Sequence, residues 1–138
     1  MTDTDIHTEI EDIVEEFDLL GDWEERYRYL IEMGKALPEM PLADRTDANK
    51  VKGCVSQVWL VTEPKNGILT FRADSDAHIV RGLAALLLRL YSGRSREDIL
   101  DVDAREVLGR IGLSEHLSPQ RSNGLTSMIG RIRAAAEA

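Results

Sequence analysis

Val55-Ser56-Gln57-Val58-Trp59-Leu60-Val61-Thr62 and, beyond Pro64-Lys65-Asn66-Gly67, Ile68-Leu69-Thr70-Phe71-Arg72-Ala73 decide the fold class of this chain. Both runs are rich in β-branched and aromatic residues, which suit a pleated surface packed on at least one face. Proline, asparagine and glycine between them are turn formers, so the pair reads as a hairpin. Apolar residues occupy both parities of 55–61, which predicts a central strand covered on much of both faces. Helical patterns lie on either side. The order helix–helix–hairpin–helices predicts an α+β fold rather than a βαβ repeat.

Upstream, Ile6, Ile10, Ile13, Val14 and Phe17 recur at helical spacing and predict an amphipathic helix over residues 5–19, broken at Gly21. Asp22, with Glu25 in the capping-box position, starts a second helix with the apolar stripe Trp23, Tyr27, Leu30 and Ile31. Gly34 followed by Pro38 is expected to end it. Residues 38–50 hold two prolines and little periodicity, and read as an ordered surface connection. Downstream, Asp74-Ser75-Asp76 opens a helix over 76–91 that is apolar around most of its circumference, the mark of a central core helix. Ser95 with Asp98 marks another start, and a helix over 104–111 turns Val107, Leu108 and Ile111 inward. After a loop at 114–120, a last helix over 122–136 buries Leu125, Met128, Ile129 and Ile132. No repeat appears, and one domain spanning 1–138 is expected.

The composition, 43% hydrophobic and 30% charged, is that of a soluble globular protein. Asp and Glu outnumber Lys and Arg 25 to 17, for a net charge of −8, so no nucleic-acid partner is expected. Eleven of those acids fall in residues 1–25, before the first base, Arg26. They form either a docking face for a basic partner or a solvated helix face. The chain opens on neither a basic segment nor a long apolar run, and the longest apolar stretch, 82–88, is too short to cross a bilayer. A cytoplasmic protein without membrane contact is expected.

Cys54 is the single cysteine. It excludes an intrachain disulfide, a CxxC motif and a cysteine-built zinc or iron–sulfur site within one chain. His7, His78 and His116 lie far apart without ligand spacing, so no metal site is expected. Gly53 permits a tight bend and a close approach beside the cysteine. Lys50 and Lys52 are near enough in sequence to favour a thiolate. A lone cysteine is equally at home as a small buried hydrophobe, and the Gly-Cys context alone leaves both readings open.

Larger motifs surround it: Tyr27-Arg28-Tyr29-Leu30-Ile31, Gly34-Lys35 with Leu37-Pro38, Val51-Lys52-Gly53-Cys54-Val55-Ser56-Gln57-Val58-Trp59, and Ala73-Asp74-Ser75-Asp76-Ala77 with Ile79-Val80-Arg81-Gly82-Leu83. Gly112-Leu113, His116-Leu117-Ser118-Pro119 and Arg121-Ser122-Asn123-Gly124-Leu125 follow. In this order they resemble the SufE family of sulfur-acceptor proteins, CsdE-like members included, from residue 22 to 133. Val55 departs from the pattern, where many relatives carry glutamine. The resemblance implies the α+β fold shared with IscU-type scaffolds, a small antiparallel sheet of three strands packed against several helices. The third strand would lie near 46–51, with Cys54 on the loop before 55–61. A scaffold role is excluded, because one cysteine cannot hold a cluster.

The resemblance further implies that Cys54 takes sulfur from a SufS-like cysteine desulfurase, carries it as a transient persulfide and stimulates that partner, for iron–sulfur cluster assembly. The SufBCD scaffold is a candidate downstream acceptor. Pyridoxal phosphate would sit on the partner, and neither a cofactor nor an independent activity is expected of this chain. Arg121 and the Asp74-Ser75-Asp76 turn are candidates for partner contact, and Gly53 and Gln57 for support of the loop. The plainer alternatives are an internal pair for Arg121, a helix cap for Ser75 or Asp76, and a solvent-facing Gln57. Two other classes are an adaptor that binds and activates the desulfurase without accepting sulfur, and a cysteine hydrolase with His78 or His116 as base.

Overall fold

Apolar periodicity becomes helix wherever a polar side chain can satisfy the first backbone donors. In the computed structural model, which describes residues 5–138, Asp5 accepts the His7 N–H and opens α1, Ile6–Asp18, whose buried stripe is Ile6, Ile10, Ile13 and Phe17. Asp22 accepts the Glu25 N–H to open α2, Trp23–Lys35, and the Glu25 carboxylate accepts the Gly21 N–H in return. Of the expected stripe only Leu30 is fully buried, and Trp23, Tyr27 and Ile31 are half-buried.

Helix α2 ends at Lys35, between Gly34 and Pro38 as expected, but Gly34 is not its terminator. It is buried inside the helix against α3, His78–Tyr91, where a Cβ on Gly34 would come 2.7 Å from the Gly82 nitrogen. A Cβ on Gly82 would strike the Leu30 carbonyl. These paired glycines let the two helices meet backbone to backbone, so what looked like a stop signal is a crossing point.

The hairpin is present with shifted ends. Strands β1, Val58–Lys65, and β2, Ile68–Ser75, pair antiparallel from Val58↔Ser75 to Lys65↔Ile68. Asn66 and Gly67 close the turn with φ of 53° and 80°, the two left-handed positions of a type I′ turn. Strand β3, Arg94–Ser95, pairs with the other edge of β2, giving the order β1-β2-β3.

The central strand is therefore β2, not the strand around 55–61, and the third strand is not at 46–51. That segment makes one bridge, Lys50↔Trp59, with Val51 N–H donating to Val58 O and Leu60 N–H to Asn49 O. It roofs the outer edge of β1, and Val58, Trp59 and Leu60 are all buried as a result. A roofed edge strand and a central strand bury both parities alike, which is why the sequence pattern could not separate them.

Helix α3 begins at His78 because Asp74 and Ser75 remain in β2. Ser95 accepts the Asp98 N–H at the head of α4, Arg96–Asp101, and α5 follows at Ala104–Arg110. Helix α6, Pro119–Glu137, is capped by Ser118 and starts earlier than its apolar period indicates. Proline in the first turn fits a helix but adds no periodic signal. The core gathers on α3, which packs against α1, α2, α6 and β2. No helix among the described residues is long and apolar enough to cross a membrane.

Candidate functional site

Cys54 sits on the short loop between the roofing segment and β1, with Gly53 beside it at φ 90°, a left-handed conformation open to glycine. The thiol is half-buried and turned inward. Its Sγ–H donates to the Gly124 carbonyl on α6 at 3.6 Å. Beneath it lies a pocket of about 410 Å³, with Ile79, Val80 and Leu83 of α3 and Leu125 and Met128 of α6 in its wall. Arg121, Gln120 and Ser118 stand at the α6 end of the same pocket.

Burial pushes the Cys54 thiol pKa up, and it is the one cause acting there. Lys50 and Lys52 thus do not supply the thiolate-favouring field expected of them. At neutral pH the resting group is a protonated thiol, a weak nucleophile until it moves or meets a base. Val55 beside it also borders the pocket but is 79% exposed, so an apolar side chain meets solvent next to the retracted cysteine.

The loop has firm ends. Val51 N–H bonds to Val58 O, and Arg131 of α6 donates to Lys50 O at 3.0 Å and Ala48 O at 2.5 Å. At the far end the Gln57 N–H donates to the Asp76 carboxylate at 3.0 Å, the Ser75 hydroxyl donates to Gln57 O at 2.8 Å, and the Asp76 N–H donates to Gln57 O. Ser75 and Asp76 thus tie the loop to the mouth of the hairpin, and the Ser75 hydroxyl also accepts the Ala77 N–H. Gln57 takes part through its backbone, with its side chain exposed.

Asp74 is only 2% exposed. Its carboxylate accepts from Met40 N–H and Arg45 and faces Arg81 at 3.3 Å, so it secures the connection that leads to the roofing segment. Arg121 differs: its backbone N–H serves the Ser118 cap, and its guanidinium has no partner among the described residues. No histidine lines the pocket. His116 stacks on Trp23 at 3.7 Å and its Nδ1 faces Gly112 O, while His78 is exposed.

Sequence reasoning gave no role to Ser127 or Arg131, and named Gly124 only within a motif. Their signal was present as a stripe: 124, 127 and 131 fall on one face of α6.

Fold and site together define a single-thiol α+β protein with its cysteine on a pinned loop over an apolar pocket. The chain belongs to the SufE family: residues 11–136 match the model of SufE, the Fe-S metabolism associated domain. It is 54% identical over 134 residues to an uncharacterized SufE-like protein of Rhizobium meliloti (strain 1021), covering 94% of this chain and 96% of that one. An uncharacterized SufE-like protein of Rhizobium etli is 55% identical over 132 residues, covering 93% and 89%. The solution structure of a hypothetical protein from Thermus thermophilus shares the fold, with a TM-score of 0.76 at 24% identity over 94% of this chain and 93% of that one.

Proposed function

We propose that this chain is a sulfur acceptor for a pyridoxal-phosphate-dependent cysteine desulfurase, taking the partner's persulfide sulfur onto Cys54 for iron–sulfur cluster assembly. The observation that carries the reading is a lone thiol on a loop with fixed ends, within a SufE domain. The Cys54 thiolate attacks the outer sulfur of the partner's persulfide. The new S–S bond forms as the partner's S–S bond breaks, and the partner's cysteine leaves as a thiolate that takes up the proton Cys54 gave up. No oxidant is consumed. With no second cysteine nearby, the product stays a persulfide and does not collapse to a disulfide with loss of sulfide.

The raised pKa of the resting thiol fits a carrier that is inert until docked. Movement of the loop would bring Cys54 out of its pocket to the partner, with exposed Val55 and the pocket-lining Arg121 flanking the contact. Unloading the partner regenerates its nucleophile, which is how an acceptor stimulates a desulfurase.

Incubation with desulfurase and free cysteine is expected to add one sulfur to Cys54, read by intact mass under non-reducing conditions. Cys54→Ser should take no sulfur and lose the stimulation. A partner that binds without ever loading Cys54 would sink the proposal, and full stimulation by Cys54→Ser would favour an adaptor.

A further inference from the structure

Residues 52–56 are held differently from their flanks. Among the described residues the weak Cys54–Gly124 bond is the one hydrogen bond that ties them to another element, whereas Lys50, Val51 and Gln57 on either side are firmly tied. The seat beneath them is a single stripe of α6. The incoming segment runs along that helix, with Ala48 and Lys50 at Arg131, Gly53 at Ser127, and Cys54 at Gly124. The fit is close. A Cβ on Gly53 would stand 2.5 Å from the Ser127 hydroxyl, and a Cβ on Gly124 would stand 3.4 Å from the Cys54 sulfur. Side chains larger than these would occupy the space the loop now fills.

Resting on the sulfur-acceptor reading, we propose that Gly124 and Ser127 are positioning residues: they form a shallow seat that retains Cys54 in its pocket, while Arg131 fixes the hinge about which the loop swings out. The seat is shallow because it offers one sulfur hydrogen bond and van der Waals contact. Release therefore costs little and leaves the roofing segment and β1 in place. The hinge is firm because two carbonyls bind one guanidinium, a planar donor suited to bridging them. A partner can then draw out the thiol without unfolding the edge of the sheet.

The test is alkylation of the full chain by iodoacetamide, measured across pH with no desulfurase present, so it reports on the seat even if no sulfur is ever transferred. Gly124→Leu and Ser127→Leu each fill part of the seat. Each is expected to react on the order of tenfold faster at neutral pH, with the midpoint of the profile moved down toward that of an unburied cysteine. Gly130→Leu, on the outer face of α6 where nothing lies within 4 Å of a Cβ, should leave rate and midpoint unchanged. Should Gly124→Leu prevent folding, Ser127→Leu at its half-buried site carries the test. Wild-type rate and midpoint in the folded seat variants would overturn the proposal, as would an equal response to Gly130→Leu.

Discussion

Gly53 answers two demands, and they can be measured apart. Its φ of 90° is poorly tolerated by other residues, at roughly 1–2 kcal/mol, and its missing Cβ leaves room for the Ser127 hydroxyl. Gly53→Ala is expected to undock the loop and raise the alkylation rate of Cys54, since about 1–2 kcal/mol is roughly a five- to thirtyfold change in population. Ser127→Ala removes the colliding oxygen and leaves its Cβ at 3.5 Å, so the double variant should regain part of the protection. A double variant as reactive as Gly53→Ala would assign the glycine to backbone conformation alone. At this scale Cys54 and Gly53 were legible because their residue types are themselves unusual. Asp74, Ser75 and Asp76 were found as a group, but their division of labour depends on which way each side chain turns at the end of β2. Asp74 faces inward to Arg45 and Arg81, and its neighbours hold Gln57.

Among the elements, α1 docks on α3 through charge as well as through its apolar stripe. Arg89 of α3 donates to Glu9 and to Glu16, and Tyr29 of α2 adds a hydrogen bond to Glu16. The Arg89 bond comes first among the causes that hold the Glu16 carboxyl below its ordinary value of 4.5. Its folded pKa lies below its unfolded one, so this contribution is full above about pH 4.5 and fades as pH falls through the lower, folded value. Glu16→Gln should cost on the order of 1 kcal/mol at pH 7, water screening having reduced the pair, and should flatten the acid limb of melting temperature against pH. An unchanged acid limb would locate that sensitivity in other carboxylates. Helix identities were legible because amphipathic periods and caps are local. The end of α2 beside Gly34 was legible, but the crossing role of Gly34 was not, because glycine marks both helix ends and helix crossings and only the facing Gly82 tells which.

For the molecule as a whole, the excess of acids is partly absorbed. Glu9 and Glu16 meet Arg89, and Glu11 meets Arg110. Among the described residues Asp12, Glu15 and Asp18 of α1 carry no such pair and add to the acidic surface, while Asp3 of the same acidic run lies outside those residues. Arg131 and Arg133 of α6 are likewise engaged, on backbone carbonyls. With a net charge of −8, association with a desulfurase should weaken as salt rises from about 0.05 to about 0.5 M, measured by calorimetry or anisotropy. Affinity indifferent to salt would place the contact on apolar groups such as Val55. By itself the sequence determined the α+β class, the helices, the hairpin and the solitary thiol, since these follow from local periodicity, turn chemistry and residue count. Tertiary structure alone decided that β1 is a roofed edge and that Cys54 faces inward over α6. Those outcomes depend on contacts between residues far apart in the chain, such as Cys54 and Gly124, which no local pattern encodes.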